Sequence, residues 1–197
     1  QQAVAHDIAN VDTPGFKQIL TSLTDFDTTN AYTQHLSNSN TSPTYLGDFG
    51  LGVMASPETT DFTQGTLKTT ESPLDFAIEG EGFFRINTAA GERYTRDGRF
   101  SKDANGLLVT VDGNPVLSST GQTIKLADGD VAVSPDGTIS INGTGNVKIG
   151  LAFFEDLTTL TRDGDNYFAS SATPATTGGG SILQSTLEQS NVDSARL

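Results

Sequence analysis

Ser72-Pro73-Leu74-Asp75-Phe76-Ala77-Ile78-Glu79-Gly80-Glu81-Gly82-Phe83-Phe84-Arg85-Ile86 reads as two strands and the turn between them. Leu74, Phe76 and Ile78 alternate with polar or small residues, the period of a strand with one buried face. Gly80 and Gly82 permit a tight turn, because glycine takes positive φ readily. Beyond it, Phe84 and Ile86 fall on one strand face, with Phe83 and Arg85 on the other. Downstream, apolar runs at 107–111, 115–117, 124–126, 131–133, 138–141 and 147–154 are separated by turn residues. Between residues 97 and 164 lie Asp97-Gly98, Asn105-Gly106, Asp112-Gly113, Asp128-Gly129, Asp136-Gly137, Asn142-Gly143 and Asp163-Gly164. Asx-Gly pairs suit the positive φ angles of hairpin turns. Repeated so densely, they predict a mainly β, antiparallel domain of short strands.

Working outward, residues 1–17 read as the end of an N-terminal helix and a turn. Val4, Ile8 and Val11 repeat at helical spacing, and Thr13-Pro14-Gly15 then stops the helix. Residues 18–61 are Thr, Ser, Asn and Asp with scattered apolar residues, a polar linker region expected to be partly disordered and loosest at 37–43. The β-domain spans 62–182 and includes a second polar loop at 170–181. Residues 183–197 read as a return strand and the start of a C-terminal helix, with Asn191 or Asp193 as candidate cap. With both terminal helices truncated, the chain reads as the trimmed core of a longer protein.

Composition limits the chemistry. There are 11 Lys and Arg against 24 Asp and Glu, a net charge of −13. That balance opposes non-specific binding to nucleic acid or to an anionic membrane. Cysteine is absent, which removes disulfides, thiol catalysis and Cys-based metal sites. No apolar run has the length of a membrane span or a signal-peptide core. His6 and His35 lack the spacing of metal-ligating histidines. Gly80-Glu81-Gly82 lacks the third glycine and the following helix of a dinucleotide site. Glu79, Glu81 and Glu92 can be imagined as a glycosidase pair, although solvent-exposed carboxylates explain them more simply. The segments 163–166 and 97–99 lack the further ligands of a calcium loop. Arg85, Arg93, Arg96 and Arg99 are interleaved with Phe83, Phe84, Tyr94 and Phe100, which in an acidic chain points to cross-strand Arg–carboxylate and Arg–aromatic pairs. No catalytic, cofactor-binding or metal-binding residue is assigned, and no cofactor is expected.

Four blocks carry a resemblance. Ala9-Asn10-Val11-Asp12-Thr13-Pro14-Gly15-Phe16-Lys17 resembles the N-terminal motif of bacterial flagellar rod and hook proteins. Residues 72–84 resemble that family's Pro-Leu-Asp and Gly-x-Gly-Phe-Phe signature, and Tyr94-Thr95-Arg96-Asp97-Gly98-Arg99-Phe100 matches its next block. Leu187-Glu188-Gln189-Ser190-Asn191-Val192-Asp193 is similar to the block before its C-terminal helix. The resemblance implies a structural axial protein of the flagellar basal-body rod, exported by the flagellar export apparatus and located in the basal body. It implies helical assembly with copies of itself and other rod and hook proteins, transmitting torque from motor to hook, with no catalysis, nucleic acid or small-molecule substrate. It also implies that Asn10, Thr13, Gly15, Phe16, Leu187, Asn191 and Val192 form the helix junctions. Leu74, Phe76, Ile78, Gly80, Gly82 and Phe84 form the signature core. The short span between the helical ends favours a rod protein, and Gly113-Asn114-Pro115-Val116-Leu117 leans toward a proximal-rod member, with the distal-rod paralogue next. A hook-type paralogue and a β-rich binding module, an adhesin or a carbohydrate-binding domain, are the alternatives. Tyr32, Tyr45, Tyr94 and Tyr167 do not cluster in sequence, as an exposed aromatic ligand surface would require.

Hydrogen exchange tests the division of the chain. Amides at 37–43 are expected to exchange fast and those at 74–86 slowly; equal protection of both would refute the division.

Overall fold

The computed structural model describes residues 2–20, 23–25, 29–32, 45–49, 53–55, 59–164 and 166–192. The chain divides into two compact units, residues 1–18 with 61–197, and residues 19–60. The smaller unit carries three nested antiparallel pairings. Ile19–Leu20 pairs with Thr59–Thr60, Leu23–Asp25 with Val53–Ala55, and Thr29–Tyr32 with Tyr45–Phe49. The threonine that makes this stretch read as polar linker is also β-branched and suits a strand. The 37–43 segment lies outside the described residues, as does 193–197, where a C-terminal helix is expected.

The larger unit opens with helix Gln2–Ala9 and is otherwise antiparallel β structure. Its five-stranded sheet runs, edge to edge, Leu151–Ala152, Phe83–Thr88, Gly91–Thr95, Phe168–Ser170 and Leu160–Arg162. Ser181–Gln184 pairs with Phe76–Glu79, and Thr186–Glu188 pairs with Leu67–Thr69. Phe100–Lys102 pairs with Leu108–Thr110. Val131–Val133, Thr138–Ile141 and Thr144–Lys148 form a three-stranded meander.

Two apolar clusters hold this unit, and strand Phe83–Thr88 contributes to both. Phe84 and Ile86 belong to the larger cluster with Phe76, Ile78, Phe100, Leu108 and Ile182. Phe83 belongs to the smaller one, with Tyr94, Leu160 and Phe168. The alternation of side chains along a strand makes this double duty possible. Phe84 is fully buried, its ring edge-on to Phe100 at 5.1 Å.

Most of the Asx-Gly turns hold glycine at positive φ, including Gly106, Gly113, Gly137, Gly143 and Gly164. Asp97-Gly98 departs from the expected hairpin. Phe76 N donates to Gly98 O at 3.0 Å, and a Cβ on Gly98 would lie 1.6 Å from Phe76 O. Glycine serves close backbone approach here, as the chain passes from strand Gly91–Thr95 to strand Phe100–Lys102 alongside Phe76.

Two substitutions measure this packing. Phe84→Ala is expected to cost about 3–5 kcal/mol, the usual range for truncating a core Phe. Gly98→Ala is expected to cost at least about 3 kcal/mol, the top of the ordinary overpacking range, because backbone has to move. Denaturant unfolding reads both, and a loss of under about 1 kcal/mol would place either residue at a yielding site.

Candidate functional site

The N-terminal helix ends in local turns that occupy its last carbonyls, as a helix end requires. Asn10 N donates to Asp7 O at 3.1 Å and Thr13 N to Asn10 O at 3.0 Å. Asn10 Nδ2 donates to His6 O at 2.9 Å, and Thr13 Oγ1 to Asn10 Oδ1 at 3.2 Å. Gly15 then takes φ +70°, and its N–H donates to Glu188 O at 2.7 Å. A Cβ there would sit 2.4 Å from Asp97 N. Positive φ and close backbone both demand glycine at this position.

Glu188 is the centre of the junction. Its side chain is fully buried, as is that of Lys17, which pairs with Oε1 at 2.5 Å. Gly65 N donates to the same oxygen at 2.9 Å. Arg96 Nη1 donates to Oε2 at 3.1 Å, and Arg96 Nη2 to Gly80 O at 2.7 Å. Lys17 Nζ also donates to Thr63 O at 2.8 Å. Burial pulls the Lys17 ammonium below its ordinary pKa, and the Glu188 charge pushes back. Burial lowers Arg96 likewise, again opposed by Glu188. An unpaired charge could not sit in such a place.

Asn191 ties the same two ends together. Gln18 N donates to Asn191 Oδ1 at 2.7 Å, and Asn191 Nδ2 donates to Asp61 O at 2.9 Å and Thr63 O at 3.1 Å. Arg162 Nη2 donates to Lys17 O at 2.6 Å, and its guanidinium lies 4.7 Å from the Phe16 ring centre. Phe16, Leu187 and Val192 are buried. The structure thus brings Gly15, Phe16 and Asn191 beside one ion cluster, with Asn10 and Thr13 shaping the turn that leads in and Leu187 and Val192 buried. The helix that Asn191 or Asp193 would cap lies outside the described residues.

Of the signature residues, Phe76, Ile78 and Phe84 lie in the larger core, and Leu74 is half-buried against it. Gly80 and Gly82 both take positive φ. Of the arginines expected in cross-strand pairs, Arg85 makes one with Glu92 on the neighbouring strand, whereas Arg99 pairs with Asp97 two residues before it. Arg85 holds Glu92 through two bonds of 2.7 and 2.9 Å, and that hydrogen-bonded pairing keeps the Glu92 carboxyl below its ordinary range. Arg93 pairs with Asp163. Among the remaining candidates, His6 packs on the Phe16 ring at 5.4 Å, while His35 lies outside the described residues. Tyr94 is buried in the smaller cluster. Among the described residues, no group of three or more His, Asp or Glu is placed to hold a metal.

Lys17, Gly65, Arg162 and Glu188 are the junction residues that the sequence did not single out, whereas Arg96 is among the arginines expected to pair with a carboxylate. A partial signal existed: Lys17 closes the first motif and Glu188 lies inside the last. Their meeting, across 171 positions, could not be read from either block.

Comparison with known proteins bears on the family resemblance. The flagellar hook protein FlgE/F/G D1 domain family matches residues 77–149. The chain is 37% identical over 195 residues to the flagellar basal-body rod protein FlgF of Caulobacter vibrioides, covering 96% of this chain and 75% of that protein. It is 35% identical over 210 residues to the rod protein FlgG of the same organism, covering 98% and 79%. It is 32% identical over 206 residues to FlgG of Bacillus subtilis, covering 96% and 78%.

Glu188→Gln leaves two buried cations without their counter-charge and is expected to cost about 3–5 kcal/mol, as for other broken buried pairs. Lys17→Met should cost less, because Arg96 still faces Glu188. Urea unfolding measures both; losses under about 1 kcal/mol in each would mean that the cluster adds nothing to stability.

Proposed function

This chain belongs to the family of flagellar basal-body rod proteins, and we propose on that footing that its two ends are the part that assembles. It is a structural component of the rod and is located in the flagellar basal body. The hook-type alternative is not favoured, since the relatives matched over most of the chain carry rod names. In this reading the chain joins copies of itself and other rod and hook axial proteins. It reaches them through the flagellar export apparatus, builds helically, and carries torque toward the hook. It does so without catalysis. Of the carboxylates considered for a glycosidase, Glu92 is engaged with Arg85.

One observation supports the role of the ends above others. Residues 16–18 and 187–191 are fixed to the same buried ion cluster and to each other. Terminal segments leaving from there start side by side, on a base that does not yield. Asn10, Thr13, Gly15 and Phe16 set the direction of the first, and Leu187, Asn191 and Val192 that of the second. Phe76, Ile78 and Phe84 make the body stiff enough to pass on a load.

Gly15→Val tests this in cells carrying the full-length protein. A β-branched residue is strained at positive φ and would press on the Arg96–Asp97 backbone. Motility is expected to fall sharply while the purified variant chain still unfolds cooperatively. Normal motility in a strain deleted for the gene would overturn the rod role. A hydrolase activity lost with a single carboxylate substitution would overturn the non-catalytic reading.

A further inference from the structure

We propose that the 110–113 turn of one copy seats in the groove between residues 124–128 and strand Thr138–Ile141 of the next copy. Val111 enters the apolar floor and Asp112 pairs with Lys125. The inference rests on the rod reading above and adds to it one specific pair of surfaces.

Val111 is 66% exposed, more than any other large apolar side chain among the described residues. It stands on a braced turn. Gly113 N donates to Thr110 O at 2.9 Å, and the Tyr167 hydroxyl lies 2.8 Å from Asp112 Oδ2 and 3.0 Å from Thr110 Oγ1. An apolar group held rigid in solvent loses little further freedom on docking, the condition that favours a contact.

The groove has a volume of about 430 Å³. Ile139, Ile141 and Val147 line it on one side and Leu126 on the other, with Lys125 and Asp128 in its wall. Asp128 already pairs with Lys102, whereas Lys125 makes no ion pair among the described residues. Charge selects this groove. At a net charge of −13, copies of this chain repel one another, so a stable contact between them sets acid against base. The apolar groove formed by Phe62, Phe83 and Phe154 carries Glu81 and Glu155, which would repel Asp112, and its cation Arg96 is already held by Glu188. The knob and the groove are different patches, so the contact is heterologous. Repeated by a rotation that does not close, it extends along a filament.

The absence of cysteine makes a clean test possible. Asp112→Cys and Lys125→Cys are introduced singly and together into the full-length protein, and isolated basal bodies are treated with a bis-maleimide whose spacer matches the reach of an Asp–Lys pair. The double variant is expected to give a ladder of multiples of the chain mass, and each single variant none. Val111→Asp, at an exposed site, should leave unfolding unchanged yet cut incorporation into basal bodies at least tenfold, while Val111→Ile retains it. A chain that co-purifies with basal bodies without the ladder, or cross-links only to a different protein, overturns the paired surfaces and leaves the rod reading intact. So does undiminished incorporation of Val111→Asp. A wild-type chain that does not co-purify with basal bodies overturns the rod reading and this inference with it.

Discussion

A carboxylate buried without solvent has to be met by charge and by hydrogen bonds, and Glu188 is met by both. Its partners come from three distant stretches: Lys17 beside the N-terminal helix, Gly65 in the approach to the β-domain, and Arg96 after a central strand. None of these stretches can satisfy it alone. Each of the three holds part of the charge, so the ion cluster ties both chain ends to the folded β-domain. Arg96 passes the constraint on, because it also binds the Gly80 carbonyl in the signature turn and lies 5.3 Å from the Phe83 ring centre.

Strand Phe83–Thr88 stands between the two cores for the same reason. Its alternate side chains enter different apolar clusters, so neither cluster can shift without the strand. Close packing turns this into stiffness, since interiors at crystal-like density transmit displacement rather than absorb it. For a rod component, a body with two cores sharing one strand and a charged clasp at its base suits a load-bearing role better than a single apolar layer would. The elements that face outward are differently made. The 110–113 turn, braced by Tyr167, and the groove near Lys125 take no part in the clasp, which leaves them free to meet a partner without disturbing it.

The sequence by itself determined the β class, the positions of most turns and a few members of the larger core, Phe76, Ile78 and Phe84. These are local matters, since alternation decides which face is buried and Asx-Gly pairs mark where the backbone needs positive φ. It also placed Gly15, Phe16, Leu187 and Asn191 at the chain junction, through motifs that resemble a known family. Only the tertiary structure decided why those residues matter. Lys17, Arg96 and Glu188 are ordinary charged residues in an acidic chain until folding removes water from around them, and pairing across 171 positions leaves no periodic trace. Gly98 makes the same point in backbone form. Its sequence context reads as a hairpin, yet what demands glycine is the carbonyl of Phe76 pressed against it, a neighbour that only the fold supplies.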